Sequence, residues 1–289
     1  MWFFYSLYFA LWAGFYLTIA KKLTFRLHPF SIMLTETLLL IFSMGVILVV
    51  SKQIPQTNSP FFILVFASSI LDSIAFTASF YAVKNSNISL ISPIASFNPV
   101  FTTLIAAVAI YEIPTLSKFI GIMLVVIGAY VLNISDIKSG LFVPFKKLMN
   151  HRGVQLFLFA NFLWGITPIL QKKAIALTIP SSPLFVSWVG IMFTAVLILP
   201  FGYKYLLKER KVVLANAKWF ALVIPFTILA QWAAFTAFSL QNVGYVTAIF
   251  KLSVLFTVIL GGLFFKEKHI KERLVGVSIM LLGTILLVV

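Results

Sequence analysis

Three ionisable residues stand inside long apolar runs of this 289-residue sequence: Glu36, Asp72 and Lys251. A charge near the centre of a bilayer costs from roughly 2.5 kcal/mol upward, so such a residue faces an aqueous cavity, finds a partner or is neutralised. A carboxylate in that setting, Asp72 or Glu36, binds a proton or a cationic group of a substrate. Lys251 attracts an anionic group such as a carboxylate. The plainer alternative is an internal ion pair, Lys251 with Asp72, that only locks two helices together. On the residues alone both readings stay open.

Neutral polar residues extend the pattern. Ser89, Ser92, Ser96 and Thr103 follow at intervals of three, four and seven and share one helical face. Asn98 lies beside that face and Pro99 nearly on it; proline in a spanning helix frees carbonyls that protein or cavity water must satisfy. The face as a whole reads as lining a substrate pathway, although single hydroxyls in membrane helices commonly bond their own backbone. Asn161, Gln171 and Gln231 are amides in apolar runs. Each bonds across helices or faces water, because an unpaired amide in hydrocarbon costs several kcal/mol. Trp12 and Trp164, deep and at matching places, read as pocket walls, while Trp2, Trp188 and Trp219 read as interfacial anchors or ordinary span residues. Glu112 and Glu267 end their apolar runs. Each caps a helix or pairs with a loop lysine, or else the two form gates at equivalent places on opposite faces.

These residues need helices to hold them. The chain is 61% hydrophobic and 10% charged, with a mean hydropathy of +1.07. Runs of about 20 apolar residues match the hydrocarbon core of a bilayer. Ten such spans are expected, near 3–20, 30–50, 61–83, 87–111, 115–133, 154–171, 183–201, 219–240, 244–265 and 273–289. The expected fold is an all-α polytopic membrane protein with short connections. Its longest break, from Asn133 to Arg152, carries Asp136, Lys138, Gly140, Pro144, Lys146 and Lys147 and divides five spans from five.

The chain also repeats itself. A shift of 155 residues lays Asn85–Ile134 on Leu240–Val289 without a gap, with eight of fifty positions identical. The identities include Glu112 on Glu267, Gly121 on Gly276 and Gly128 on Gly283. Two glycines seven residues apart lie about two turns apart on one face and admit a close helix neighbour. Because five is odd, the second repeat enters the membrane inverted relative to the first. Many secondary transporters are built this way, with the substrate site near the midplane between the halves. The expected organisation is a first five-helix repeat over 1–134, a basic connecting loop over 135–152 and a second repeat over 153–289.

Charge gives an orientation. Seventeen of the 22 lysines and arginines fall in the loops after odd-numbered spans, against Lys52, Lys118, Lys172 and Lys173 on the other side. By the positive-inside rule the basic side is cytoplasmic, which places both termini outside. The net charge of +15 is thus assigned to membrane topology rather than to nucleic acid. Cysteine is absent, which excludes disulfides and thiolate metal sites. His28, His151 and His269 lie in loops, away from any intramembrane metal site. No His-Glu-x-x-His, phosphate-binding glycine loop or Gly-x-Ser-x-Gly elbow occurs, so neither an enzyme nor a cofactor is expected and transport would run on gradients or exchange.

At this point the residues resemble the EamA-type transporters of the drug/metabolite transporter superfamily, over essentially the whole chain. The resemblance rests on the entry Ala82-Val83, on Asn98-Pro99, Glu112, Gly121 and Gly128, on their second copy from Ala237 to Leu287, and on Trp12 and Trp164 in "LWAG" and "LWGI". It implies ten helices in two inverted five-helix EamA repeats in a prokaryotic cytoplasmic membrane. It also implies alternating access, commonly for export. Members often carry an arginine about where Glu36 and Gly190 stand, and they usually keep their termini inside the cell. The expected function is secondary transport of small metabolites such as amino acids or related compounds, coupled to protons or to exchange, by a monomer or homodimer. Rival readings are a flippase for lipids or lipid-linked precursors and a non-transporting membrane scaffold.

Overall fold

The computed structural model describes residues 1–52, 54–85, 95–133, 152–256 and 270–289. Among them are ten helices: α1 (Trp2–Thr24), α2 (Pro29–Val50), α3 (Ser59–Asn85), α4 (Asn98–Ala109), α5 (Leu116–Asn133), α6 (Arg152–Ala176), α7 (Pro183–Ala215), α8 (Ala217–Leu240), α9 (Val243–Phe250) and α10 (Ile270–Val288). The described residues form no strand, only one isolated antiparallel bridge between Gln56 and Ile179. Within α2, α3, α6, α7 and α8 lie segments long and apolar enough to cross a bilayer; α4, α5, α9 and α10 contribute shorter apolar segments.

The second helix of each half starts by the same device. His28 precedes Pro29 and accepts from the Phe30 N–H at 3.3 Å; Ser182 precedes Pro183 and accepts from the Phe185 N–H at 3.4 Å. Proline at the first helical position gives up an N–H that has no intrahelical partner there. The side chain before it serves one of the remaining orphan donors.

Packing joins the halves more than it fills either one. Helix α3 lies along α6 and α1 along α8, while α2 pairs with α7, α4 with α9 and α5 with α10. In the repeat, α3 is equivalent to α8 and α6 to α1, so each of these contacts is the image of another or of itself. This is the signature of a two-fold relation between inverted repeats. The α5–α10 crossing lies on it. A methyl carbon on Gly128 would sit 2.6 Å from the Gly276 carbonyl oxygen, and one on Gly283 would sit 2.7 Å from that of Gly121. Gly121 faces Gly283 and Gly128 faces Gly276 in antiparallel register, and a methyl group on Gly128 or Gly283 would collide with backbone across the crossing.

Two elements depart from expectation. Span 4 was expected as one helix over 87–111 with Pro99 inside it. The described helix begins at Asn98, with a turn at 96–97 before it, so Pro99 sits in a first turn that tolerates it. Helix α9 breaks at the equivalent place. The N–H groups of Lys251 and Leu252 bond three residues back, to Ala248 and Ile249, before a further turn over 253–256. The same shift of 155 carries one break onto the other, although the second copy has no proline.

The second departure is α7. Residues 202–215 were expected as loop, but the helix runs for 33 residues to Ala215, through Pro200. At 1.5 Å per residue that is about 50 Å, well beyond the hydrocarbon thickness. Lys204, Lys208, Arg210 and Lys211 are exposed on the extension. It is pinned to the α1–α2 turn, where the His28 ring stacks on Tyr205 at 3.8 Å and the His28 N–H donates to Glu209 at 2.9 Å.

Candidate functional site

Polar side chains four residues apart recur on the helices at the centre of the bundle. Ser68 and Asp72 stand on α3, Thr167 and Gln171 on α6, Thr227 and Gln231 on α8, and Trp12 with Tyr16 on α1. Four residues is one helical turn, so each pair points the same way. Apart from Thr167, these residues line two cavities.

The first cavity, about 230 Å³, lies between α3, α6 and α7 toward the Lys172 end of the bundle. Asp72 is half-buried on its wall. The Gln171 amide donates to Asp72 Oδ2 at 3.4 Å and to Ser68 Oγ at 3.2 Å. Ser69 donates across to the Gly190 carbonyl at 3.1 Å, which seats α3 on α7. The buried Ser187 hydroxyl on the same wall has no partner among the described residues.

The second cavity, about 260 Å³, lies between α1, α2 and α8 toward the His28 end. Glu36 supplies its charge. Tyr16 donates to Glu36 Oε2 at 2.6 Å, while Glu36 Oε1 is buried with no partner among the described residues. Trp12 donates to Thr227 Oγ1 at 3.2 Å and stacks on Phe226 at 5.3 Å. Phe9, Met33 and Leu40 complete an apolar wall.

The cavities are images of each other under the repeat, since α3, α6 and α7 correspond to α8, α1 and α2. They meet at a wall they share, made of Thr37, Leu40 and Gln231. The Gln231 amide makes no hydrogen bond among the described residues and faces both. A local signal also relates the two. The tetrapeptide Ala75–Ala78 recurs as Ala234–Ala237, and this shift of 159 lays Asp72 on Gln231 and Ser68 on Thr227.

Of the residues singled out in the sequence, Trp12, Glu36, Asp72 and Gln231 thus line this pair of cavities, and Gln171 bonds into it. Trp164 instead packs with Leu71, Ala75 and Ala78 between α3 and α6. Asn98 donates to the Asn161 carbonyl at 2.9 Å and ties α4 to α6. Buried Ser96 adjoins the α4 turn. Thr103 bonds the Pro99 carbonyl at 2.7 Å and presses on Gly244 of α9. The described part of the hydroxyl face therefore packs helices, and Ser89 and Ser92 lie outside the described residues. Lys251 caps α9 away from both cavities and forms no ion pair with Asp72.

Glu112 joins three elements. One carboxylate oxygen pairs with Lys172 at the end of α6, and the other accepts from the Val243 N–H at 2.8 Å, at the start of α9. Lys172 also donates to the Gln241 carbonyl at 2.7 Å. Its repeat partner Glu267 lies outside the described residues. Tyr16, Thr37, Thr167, Ser187 and Thr227 were not expected. For Tyr16, Thr167 and Thr227 the signal was the recurring four-residue spacing, which single hydroxyls do not reveal; Thr37 and Ser187 carry no such signal.

Comparison with known proteins places these features. The model of the EamA-like transporter family matches residues 1–134 and again 151–289. No curated protein matches the sequence. Chains of solved structures match it, 29 in number. One, described as "Crystal structure of protein", superposes with a TM-score of 0.72 at 12% identity, covering 100% of this chain and 98% of its own. Likeness at that identity speaks for the fold alone.

Proposed function

The chain belongs to the EamA-like transporter family, and we propose that it is a secondary transporter whose substrate passes between the two central cavities by alternating access. The observation that carries this reading is the cavity pair itself. Two chambers of similar volume, built from repeat-equivalent helices and each lined by one carboxylate, share the lining residues Thr37, Leu40 and Gln231. Rocking one half against the other opens one chamber as its image closes. Inverted repeats suit this motion because the inward and outward states are then near-copies of each other.

The test is solute flux in proteoliposomes. Gln231→Leu removes the one side chain whose amide faces both chambers and is expected to cut transport at least tenfold, with thermal stability unchanged. A response to lipids alone, with no soluble compound moved, would favour a flippase. Full tolerance of apolar replacement at Glu36, Asp72 and Gln231 would favour a scaffold.

The reading extends to topology, with the basic ends of the helices in the cytoplasm of a prokaryotic cell. The sequence holds no cysteine, so single introduced cysteines report cleanly. Lys208→Cys, exposed on the α7 extension, is expected to be shielded from an impermeant thiol reagent applied to intact cells. Ser117→Cys, exposed at the opposite end, is expected to react. The reverse pattern would put the termini inside.

A further inference from the structure

We infer that the chamber beside Glu36 selects an organic cation, with an ammonium group on the free Glu36 oxygen and an apolar body against Phe9, Trp12 and Met33; this rests on the transporter reading above. The two carboxylates of the cavity pair are not equivalent. Asp72 accepts from the Gln171 amide at 3.4 Å, which ties α3 to α6, and neither of its oxygens is buried without a partner. Glu36 has a single donor, Tyr16, and its other oxygen is buried and unpartnered among the described residues. A buried carboxylate oxygen without a partner is costly, and a group that arrives with positive charge and N–H donors removes the cost.

The walls agree with this choice. Beyond Glu36 the chamber offers the rings of Phe9, Trp12 and Tyr16 and the side chains of Met33 and Leu40. Aromatic faces attract ammonium groups through their quadrupoles, by about 0.5–2 kcal/mol according to desolvation. No lysine or arginine lines either chamber among the described residues. The carboxylate of an amino acid would meet only neutral donors there, such as the Gln231 amide and the Thr227 hydroxyl, with Glu36 nearby to repel it. The amino-acid substrate expected from the sequence leaned on Lys251 for that carboxylate, and Lys251 lies elsewhere. A simple amine fits better than a zwitterion.

Three ligands with one body and different charge test this on the purified full-length protein at neutral pH: phenethylamine, phenylalanine and 3-phenylpropionate. Binding is read by calorimetry and by thermal shift. Phenethylamine is expected to bind at least tenfold more tightly than either of the others, and Glu36→Gln to remove at least tenfold of that affinity. Equal or tighter binding of phenylalanine or phenylpropionate overturns the inference, as does failure of the amine to bind. The ligand series on the unmodified protein decides the matter even where the Gln variant fails to fold. Flux of any other solute in proteoliposomes leaves the transporter reading standing, and absence of all flux would sink that reading separately.

Discussion

Replacing Gly128 by alanine is expected to destabilise the protein by about 1–3 kcal/mol, the usual range for overpacking a tight core. The new methyl would lie 2.6 Å from the Gly276 carbonyl oxygen and 2.7 Å from the Met280 backbone nitrogen. Comfortable carbon–oxygen approaches are about 3.3–3.6 Å. The Met280 side chain, whose Cγ lies 2.5 Å away, can turn aside, but these two atoms are backbone, so α5 must move away from α10. Within lipid this matters more than in water, because close packing rather than expulsion of water holds helices together. At about 2–4 °C for each kcal/mol, the loss shows as a fall of several degrees in apparent melting temperature in detergent. Gly190→Ala is the internal control. Its methyl would meet Val65 at 3.7 Å, an ordinary contact, and alanine is the better helix former. Equal melting temperatures for the two variants would show that the four-glycine crossing does not hold the halves together.

That crossing was legible in the sequence because glycine has few reasons to recur at seven-residue spacing in an apolar helix. The inverted repeat was legible from the 155-residue shift and the odd span count, whereas the paired starts at Pro29 and Pro183 came only with the structure. The α7 extension was not legible either. Pro200, Gly202 and the run of lysines after them imitate the end of a span, and only the contacts of His28 with Tyr205 and Glu209 explain why the helix continues. Charge in an apolar run drew attention to Glu36 and Asp72, and an amide in the same setting to Gln231; all three line the cavity pair. Charge also drew attention to Lys251, which lines neither of the two cavities. It marks the seam where α9 breaks, and nothing local in the sequence separates a seam from a cavity wall. Thr167 and Thr227 stayed hidden because a threonine in a membrane helix ordinarily bonds its own backbone, as Thr102 and Thr103 do here.

Glu112→Ala is expected to loosen the Lys172 end of the bundle and raise access to the first cavity about tenfold. One carboxylate there serves α4, α6 and α9 together. Its loss strands the Val243 N–H at the start of α9, where the helix dipole favours a negative charge, and leaves Lys172 uncompensated. Hydrogen bonds to charged groups contribute about 1.5–3 kcal/mol. The side chains of Lys172 and Glu112 retain 24% and 12% of their exposure, so solvent screening brings the expectation to about 1–2 kcal/mol. A shift of about 1.4 kcal/mol is tenfold in an equilibrium between closed and open forms, provided the contact exists in one form only. Two structural facts favour that condition. Helices α4 and α9, which Glu112 joins, break at repeat-equivalent positions, and Lys172 is the immediate neighbour of Gln171 on the Asp72 carboxylate. The readout is the reaction rate of Ser187→Cys, on the cavity wall, with an impermeant thiol reagent. A tenfold faster reaction in Glu112→Ala, matched by Lys172→Ala and not increased in the double variant, identifies the contact as a gate. A lower melting temperature with unchanged labelling reduces it to a helix cap, and then the barrier between the chambers rests on Thr37, Leu40 and Gln231 alone.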